Sequence, residues 1–288
     1  MTNSQQKTLV AILAHPDDES FGMGGTLALY ARQGVKVYYI CMTGGESGTV
    51  DPHFLENYNS VAELRYDELK CAAEKLGLAG VIMAGYRDSG MPGTPDNAHP
   101  EALVNQPVEQ VAARLVHFIR ELRPQVIITH DPIGGYKHPD HIATHRAVLR
   151  AFHTAGDVSA YPDEPLPPFR PQKLYYSTLS KRMMKIFARL LPLFGQNPRQ
   201  FGRNKDVDIL ALIEEGDFPI HVQIDYTPFR AIQQAASACH ASQLPGGPPN
   251  RGLMNWIFRF LRQKDTYMRA YPEAERSLRE QDLFEGVM

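Results

Sequence analysis

The 288-residue chain is predicted to be an α/β protein, a Rossmann-like three-layer fold with a mainly parallel sheet and a C-terminal extension. Three observations predict it. Apolar runs of strand length alternate with helix-period segments from Thr8 to Pro132, turn and cap residues separate them, and the chemically active side chains gather where the apolar runs end. The first 155 residues read as the catalytic core (1–155), and 156–288 as a part that completes the sheet and the substrate pocket within the same domain.

"TLVAILA" is continuously apolar, as a parallel strand covered on both faces requires. "TLALYARQG" then reads as a helix closed by Gly34, and "VKVYYICMT" as a second strand. In "SVAELRYDELKCAAEKLG" a serine caps the start and Gly77 closes the end, ahead of the strand "VIMAGY". Val108, Val111, Ala112, Leu115, Val116, Ile119 and Leu122 recur at helical spacing, and "PQVIITH" follows as a fourth strand. Such an order builds right-handed βαβ units.

Beyond residue 155 the pattern loosens. "SAYPDEPLPPFRPQ" is a proline-rich connection, "KLYYSTL" and "HVQI" read as strands, and Thr227 to Gln243 as a late helix. The stretch 181–196, "KRMMKIFARLLPLFGQ", is basic on one side and apolar on the other. It reads as a helix packed over the sheet edge, and the alternative is peripheral membrane contact through a surface helix. "GLMNWIFRFLRQ" carries the same two readings.

Thirty basic and thirty-two acidic side chains give a formal net charge of −2, so no general field draws nucleic acid or an anionic membrane. Cys41, Cys71 and Cys239 are odd in number and far apart, which argues against a disulfide framework or a thiolate zinc site and fits a reducing cytoplasm. The apolar start, Thr8 to Ala14, is too short for a signal peptide or a spanning helix, so a cytoplasmic protein without an integral membrane segment is expected. On oligomeric state the sequence is silent, and a homo-oligomer stays open.

In an open parallel sheet, ligands bind beyond the carboxyl ends of the strands. Those ends carry "HPDDE" at 15–19, "TGGESG" at 43–48, "YRDSGM" at 86–91 and "HDPIGGYKHPDH" at 130–141. The triplet His-Pro-Asp occurs twice, at 15–17 and 138–140, which points to one shared site. A catalytic metal explains the residue types, because such an ion takes His and carboxylate ligands and leaves a position for water. His15 and Asp18 suit one ion with Asp17 beside them, and His138 or His141 would complete a two-His, one-carboxylate set. The leftover acid and histidine become proton-transfer groups. Spacing does not say which aspartate is the ligand or which histidine, and the same set serves Fe(II) as well as zinc.

The rival is a nucleotide-binding module, since "GMGG" and "TGGESG" are glycine-rich turns. Neither gives G-x-G-x-x-G directly after a strand, and the acids of 17–19 would repel a pyrophosphate. Glu19 suits either a helix N-terminus or a place behind the ligands, and His240 reads as a packed histidine.

"AHPDDE" with "GGYKHPDH" resembles the PIG-L/LmbE-like superfamily of metal-dependent de-N-acetylases. "ELRYDEL", "YRDSGM" and "NAHPEALVNQPVEQV" are similar to its bacterial branch, which includes N-acetylglucosaminyl-inositol deacetylase and mycothiol S-conjugate amidase. The match spans about residues 8–150, with "CHASQ" at 239–243 beyond it. The resemblance implies that His15, Asp18 and His141 hold zinc and that Asp17 is the general base. It implies that His138 is the general acid or oxyanion partner, oriented by Asp140, and that Tyr136 polarises the acetyl carbonyl. Arg65 and Asp88 match positions that hold the substrate. The activity implied is removal of an N-acetyl group from a GlcNAc-type glycoside, a small N-acetylated sugar conjugate, with cleavage of a thiol S-conjugate as the alternative. Two proton-transfer groups imply a bell-shaped pH profile.

Overall fold

A computed structural model describes residues 6–201, 205, 207–215, 217–244 and 264–288. The helix suggested for 252–263 lies outside the described residues. Strand β1, Thr8–Leu13, is buried along its whole length, as its uninterrupted apolar run demands. It pairs in parallel with β2 (Lys36–Thr43) on one side and with β4 (Val126–His130) on the other. Strand β3 (Gly80–Tyr86) lies outside β2, and β5 (Lys173–Thr178) outside β4. The far edge turns antiparallel: β7 (Lys264–Tyr271) pairs with β5, and β6 (Val222–Asp225) with β7. The sheet order is therefore β3-β2-β1-β4-β5-β7-β6.

Chain direction across this sheet reverses between β1 and β4. Their carboxyl ends splay there into the crevice where an open α/β sheet binds its ligand. Both His-Pro-Asp triplets follow those two strands.

Helices cover both faces. Leu9, Ala11, Leu13, Val37, Tyr39 and Cys41 face a core shared with α1 (Asp18–Arg32), α2 (Val61–Leu76) and α8 (Arg230–Cys239). Val10, Ile12, Ile40, Ile127 and Leu174 face α3 (Val108–Leu122) and α5 (Pro139–Thr154). The alternation along each strand is the period-two placement of side chains on a pleated sheet. Ser60 accepts the Glu63 amide at the start of α2, and Gly77 closes that helix with φ 76°, as the sequence indicated.

Several features differ from the sequence reading. α1 begins at Asp18, eight residues before "TLALYARQG", and is broken at Met23. The second half starts from a cap the sequence could not reveal: Thr26 N and Oγ1 donate to Asp265 of β7 at 3.1 and 2.7 Å. α5 and β7 were not anticipated, and the late helix is interrupted, with α8 flanked by 3₁₀ turns. The expectation against a disulfide is corrected: Cys71 and Cys239 are bonded, Cα atoms 5.8 Å apart, because α2 packs against α8. Their separation of 168 residues hid the pairing. Cys41 is buried and free.

Helix α6, Lys181–Leu190, turns Phe187 and Ala188 toward Ile209, Leu210 and Ile213 of α7 (Ile209–Glu215), forming a satellite cluster with Leu191. Phe187 and Ala188 are thus packed against protein, while Leu193 just beyond the helix is exposed. Among the described residues no helix is long and apolar enough to cross a membrane.

Candidate active site

The first triplet ends β1 and starts α1. Asp17 occupies the N-cap position, its carbonyl accepting the Ser20 and Phe21 amides at 3.0 and 2.9 Å, and its φ is 129°. L-residues seldom hold that backbone, and such strain of about 1–3 kcal/mol survives only where neighbours over-determine it. Arg65 is one such neighbour. It donates from Nη2 to Asp17 Oδ2 (2.9 Å) and to Pro16 O (2.5 Å), and from Nη1 to Gly45 O (2.9 Å). Gly45 must be glycine, since a Cβ there would collide with this guanidinium and φ is 68°.

The second triplet is set differently on its helix. His138 is the N-cap of α5, with Pro139, Asp140 and His141 in its first turn. The His138 Nδ1 accepts the Asp140 amide at 3.2 Å, so the neutral ring carries its proton on Nε2. Just before it, α4 (Gly134–Lys137) has positive φ at Gly134, Gly135 and Lys137, and it lifts Tyr136 over the site. The Tyr136 ring stands edge-on to His141 and His138, with centroids 5.0 and 5.7 Å apart.

The two helix starts bring their residues together. His15 Nδ1 lies 3.2 Å from His141 Nε2 and 3.7 Å from Asp18 Oδ2, and His141 Nε2 lies 3.6 Å from Asp18 Oδ1. Around a tetrahedral zinc with ligands at about 2.1 Å, donor atoms stand roughly 3.4 Å apart. The His15 and His141 nitrogens and the Asp18 carboxylate, which faces His15 through Oδ2 and His141 through Oδ1, therefore stand at spacings of 3.2 to 3.7 Å that suit such an ion. With one donor atom taken from each residue, the groups of ligand size among the described residues are His15, His138 and His141; His15, Asp88, His138 and Asp140; and Asp18, His130 and His141.

His15 is held in the way metal-binding imidazoles usually are, by a carboxylate on the far ring nitrogen, whereas among the described residues the His141 Nδ1 has no hydrogen-bond partner. His15 Nε2 faces Asp140 Oδ2 at 3.2 Å and Asp88 Oδ1 at 3.7 Å. Asp140, fully buried, also accepts the Ser89 amide at 2.9 Å and the Ser89 hydroxyl. Its carboxylate thus serves His15, and it orients His138 through its backbone N–H instead. Asp88 in turn accepts the Gly90 amide at 2.8 Å and the Ser47 amide at 3.3 Å. The Ala14 amide donates to His130 Nε2 at 3.0 Å, and that ring stacks on His141 with centroids 3.8 Å apart.

The electrostatics follow from this packing. Burial opposes charge on His15, yet Asp88, Asp140 and Asp18 hold its pKa well above the ordinary value. Burial would raise Asp18, but His141, His130 and His15 hold it well below the usual carboxylate range. Three carboxylates make this a place for positive charge, whether a proton or a cation. Asp17 differs: burial raises it to about 6 against the pull of Arg65. Burial and the neighbouring His15 push His138 down to about 3, so that ring is neutral at pH 7. Burial also lifts the Tyr136 phenol, which stays protonated.

The structure gathers His15, Asp17, Asp18, Asp88, His138, Asp140, His141 and Tyr136 at one crevice. Arg65 is there too, but 4% exposed and bonded to the Asp17 turn. For a residue expected on substrate, its visible work is to hold the Asp17 carboxylate and to keep it more acidic. Sequence reasoning missed Ser89 as the support of Asp140, and treated Glu19 and His240 as separate residues. They meet, Glu19 Oε1 2.7 Å from His240 Nε2, both fully buried. Burial opposes charge on His240, but Glu19 holds it above its ordinary value.

A cation seat, a carboxylate near pKa 6, a neutral imidazole N–H and a phenol in one crevice are the equipment of hydrolysis at a carbonyl. Comparison with known proteins bears on the bond. The family described as "PIG-L: GlcNAc-PI de-N-acetylase" matches residues 10–152. The 1D-myo-inositol 2-acetamido-2-deoxy-alpha-D-glucopyranoside deacetylase of Streptomyces scabiei (strain 87.22) is 36% identical over 291 residues, 97% of this chain and 89% of that one. The protein of that name from Streptomyces avermitilis is 36% identical over 299 residues, 100% of this chain and 99% of its own. Among solved structures, N,N'-diacetylchitobiose deacetylase from Pyrococcus horikoshii superposes with a TM-score of 0.61 over 92% of this chain and 84% of that one. At 21% identity this is a likeness of fold.

Proposed function

This chain belongs to the PIG-L family of de-N-acetylases, and from that premise we propose that it hydrolyses the acetamide of 1D-myo-inositol 2-acetamido-2-deoxy-alpha-D-glucopyranoside. The products are acetate and the free amine. The observation that carries the reading is the cluster of the His15 and His141 ring nitrogens with the Asp18 carboxylate, its contacts 3.2 to 3.7 Å, and the Asp17 carboxylate in the electrostatic neighbourhood of Asp18 and His15.

His15, Asp18 and His141 would hold the ion, and the His and carboxylate donor set suits zinc and, second to it, Fe(II). When bound, the ion lowers the pKa of water and polarises the acetyl carbonyl. Asp17 takes the proton of the attacking water, a task for which a carboxylate near pKa 6 is well matched at neutral pH. His138 presents Nε2–H as a hydrogen bond to the oxygen that gains charge, and the proton that Asp17 took from the water passes to the departing nitrogen as the C–N bond breaks. Tyr136, at the rim, adds a second donor to that oxygen. Asp140 keeps the His15 ring in place and Asp88 supports it, while the sugar side of the pocket runs past Asp88 and the Arg65–Asp17 pair. A small N-acetylated sugar conjugate as the substrate completes the proposal.

Acetate release tests it, measured with zinc-loaded protein on the inositol glycoside beside other N-acetylated glycosides and a thiol S-conjugate. Release from the inositol glycoside that disappears on chelation is the expected result. No release from any N-acetylated glycoside would overturn it.

A further inference from the structure

We infer that His240 and Glu19 form a buried clamp that fixes the Asp17 backbone where its carboxylate serves as base, which makes His240 a positioning residue. The inference rests on the reading of Asp17 as base. Asp17 holds φ 129° and ψ −27°, a conformation an L side chain keeps only when the surroundings impose it. Its N–H donates to Glu19 Oε2 at 2.9 Å, so Glu19 reaches back from the first turn of α1 to bind its own N-cap residue. The other Glu19 oxygen accepts from Ser20 Oγ at 2.6 Å and from His240 Nε2 at 2.7 Å.

Glu19 and His240 are both fully buried. A carboxylate without solvent persists only when paired and hydrogen-bonded, so the geometry of Glu19 depends on the ring that faces it. His240 arrives from 221 residues away and is anchored on either side. Cys239 is bonded to Cys71 of α2, and Ser242 donates from N and Oγ to Glu68 of the same helix at 2.8 Å each. The residue thus sits on a strap tied twice to the helix that also carries Arg65.

A packing role alone does not explain this choice of residue. Among the described residues His240 Nδ1 is buried with no hydrogen-bond partner, a cost that an apolar side chain of similar size would avoid. What the imidazole supplies and an apolar group cannot is the Nε2 contact to Glu19. Two neighbours thus set the base from opposite sides: Arg65 grips its carboxylate, and the His240–Glu19 pair grips its backbone.

The test measures kcat and KM for the inositol glycoside, zinc per chain and melting temperature in His240→Ala, His240→Gln, Glu19→Gln and Asp17→Asn. His240→Ala is expected to lose about 10- to 100-fold in kcat, with KM within about twofold and zinc per chain unchanged. His240→Gln, whose amide N–H reaches Glu19, is expected to recover most of kcat even if its melting temperature stays lowered. A His240→Ala variant with full kcat overturns the clamp, and so does a glutamine variant that loses as much kcat as the alanine. If the alanine variant does not fold, Glu19→Gln decides: reduced kcat at unchanged KM supports the clamp, and full kcat overturns it. Asp17→Asn separates the two levels. Full activity there sinks Asp17 as base, whereas an inactive Asp17→Asn beside an unimpaired His240→Ala sinks the clamp alone.

Discussion

The same three letters, His-Pro-Asp, end two strands of this sheet and do different work in each place. At 15–17 the aspartate is the N-cap of the following helix; at 138–140 the histidine is. That shift of two positions turns every side chain. His15 lies in the crevice with one ring nitrogen toward His141 and the other toward Asp140, while His138 spends Nδ1 on capping and offers only Nε2. Asp17 keeps an accessible carboxylate under backbone strain, while Asp140 is wholly buried beneath His15. A motif therefore acts through its register on the helix as much as through its letters, because the first turn fixes where each Cβ points.

Breaking this division of labour gives graded outcomes. The largest loss belongs to the cation seat. His141→Ala or Asp18→Ala is expected to abolish stoichiometric zinc and lower kcat/KM on the order of 10³-fold or more, checked by metal analysis and acetate release. Next comes the base of the first triplet: Asp17→Asn should lower kcat about 10²- to 10⁴-fold with zinc retained. The matching residue of the second triplet should matter less. Asp140→Asn frees His15 without removing a ligand or base, and a loss of about 10- to 100-fold in kcat or zinc affinity is expected. Equal losses in Asp17→Asn and Asp140→Asn would erase the contrast.

The pH profile sharpens it further. With Asp17 as the proposed base, the rate is expected to rise with pH through its titration at about 6, and a bound cation moves that limb lower. The positive charge of Arg65 favours the ionised form and lowers this pKa, so Arg65→Gln should shift the acid limb to higher pH. An unmoved limb would show that Arg65 does not set the base. The smallest effect on rate is expected from Cys71→Ser, which unties α8 from α2: melting temperature should fall by a few degrees while kcat stays within about twofold.

Much of the core was legible in the chain. The parallel strands β1 to β5, α2 with its Ser60 and Gly77 caps, and α3 all follow from hydrophobic period and cap residues, which are local properties. Strand β7 was not legible, since "KDTYMRAY" has no clean alternation and owes its state to β5 and β6 on either side. Nor was the placement of α1, whose first turn is made of the acids that read as a loop and whose break is capped by Asp265.

By itself the sequence determined the set of candidate residues and the crevice they share. Residue type fixes what a side chain can ligate or titrate, and the order of strands and helices fixes which ends meet. The tertiary structure decided the assignments within that set: Asp140 under His15, Arg65 on Asp17, Glu19 against His240, and Cys71 bonded to Cys239. Each joins residues from separate elements, some more than 150 positions apart. Their meeting depends on how helices pack across the sheet, which no local pattern records.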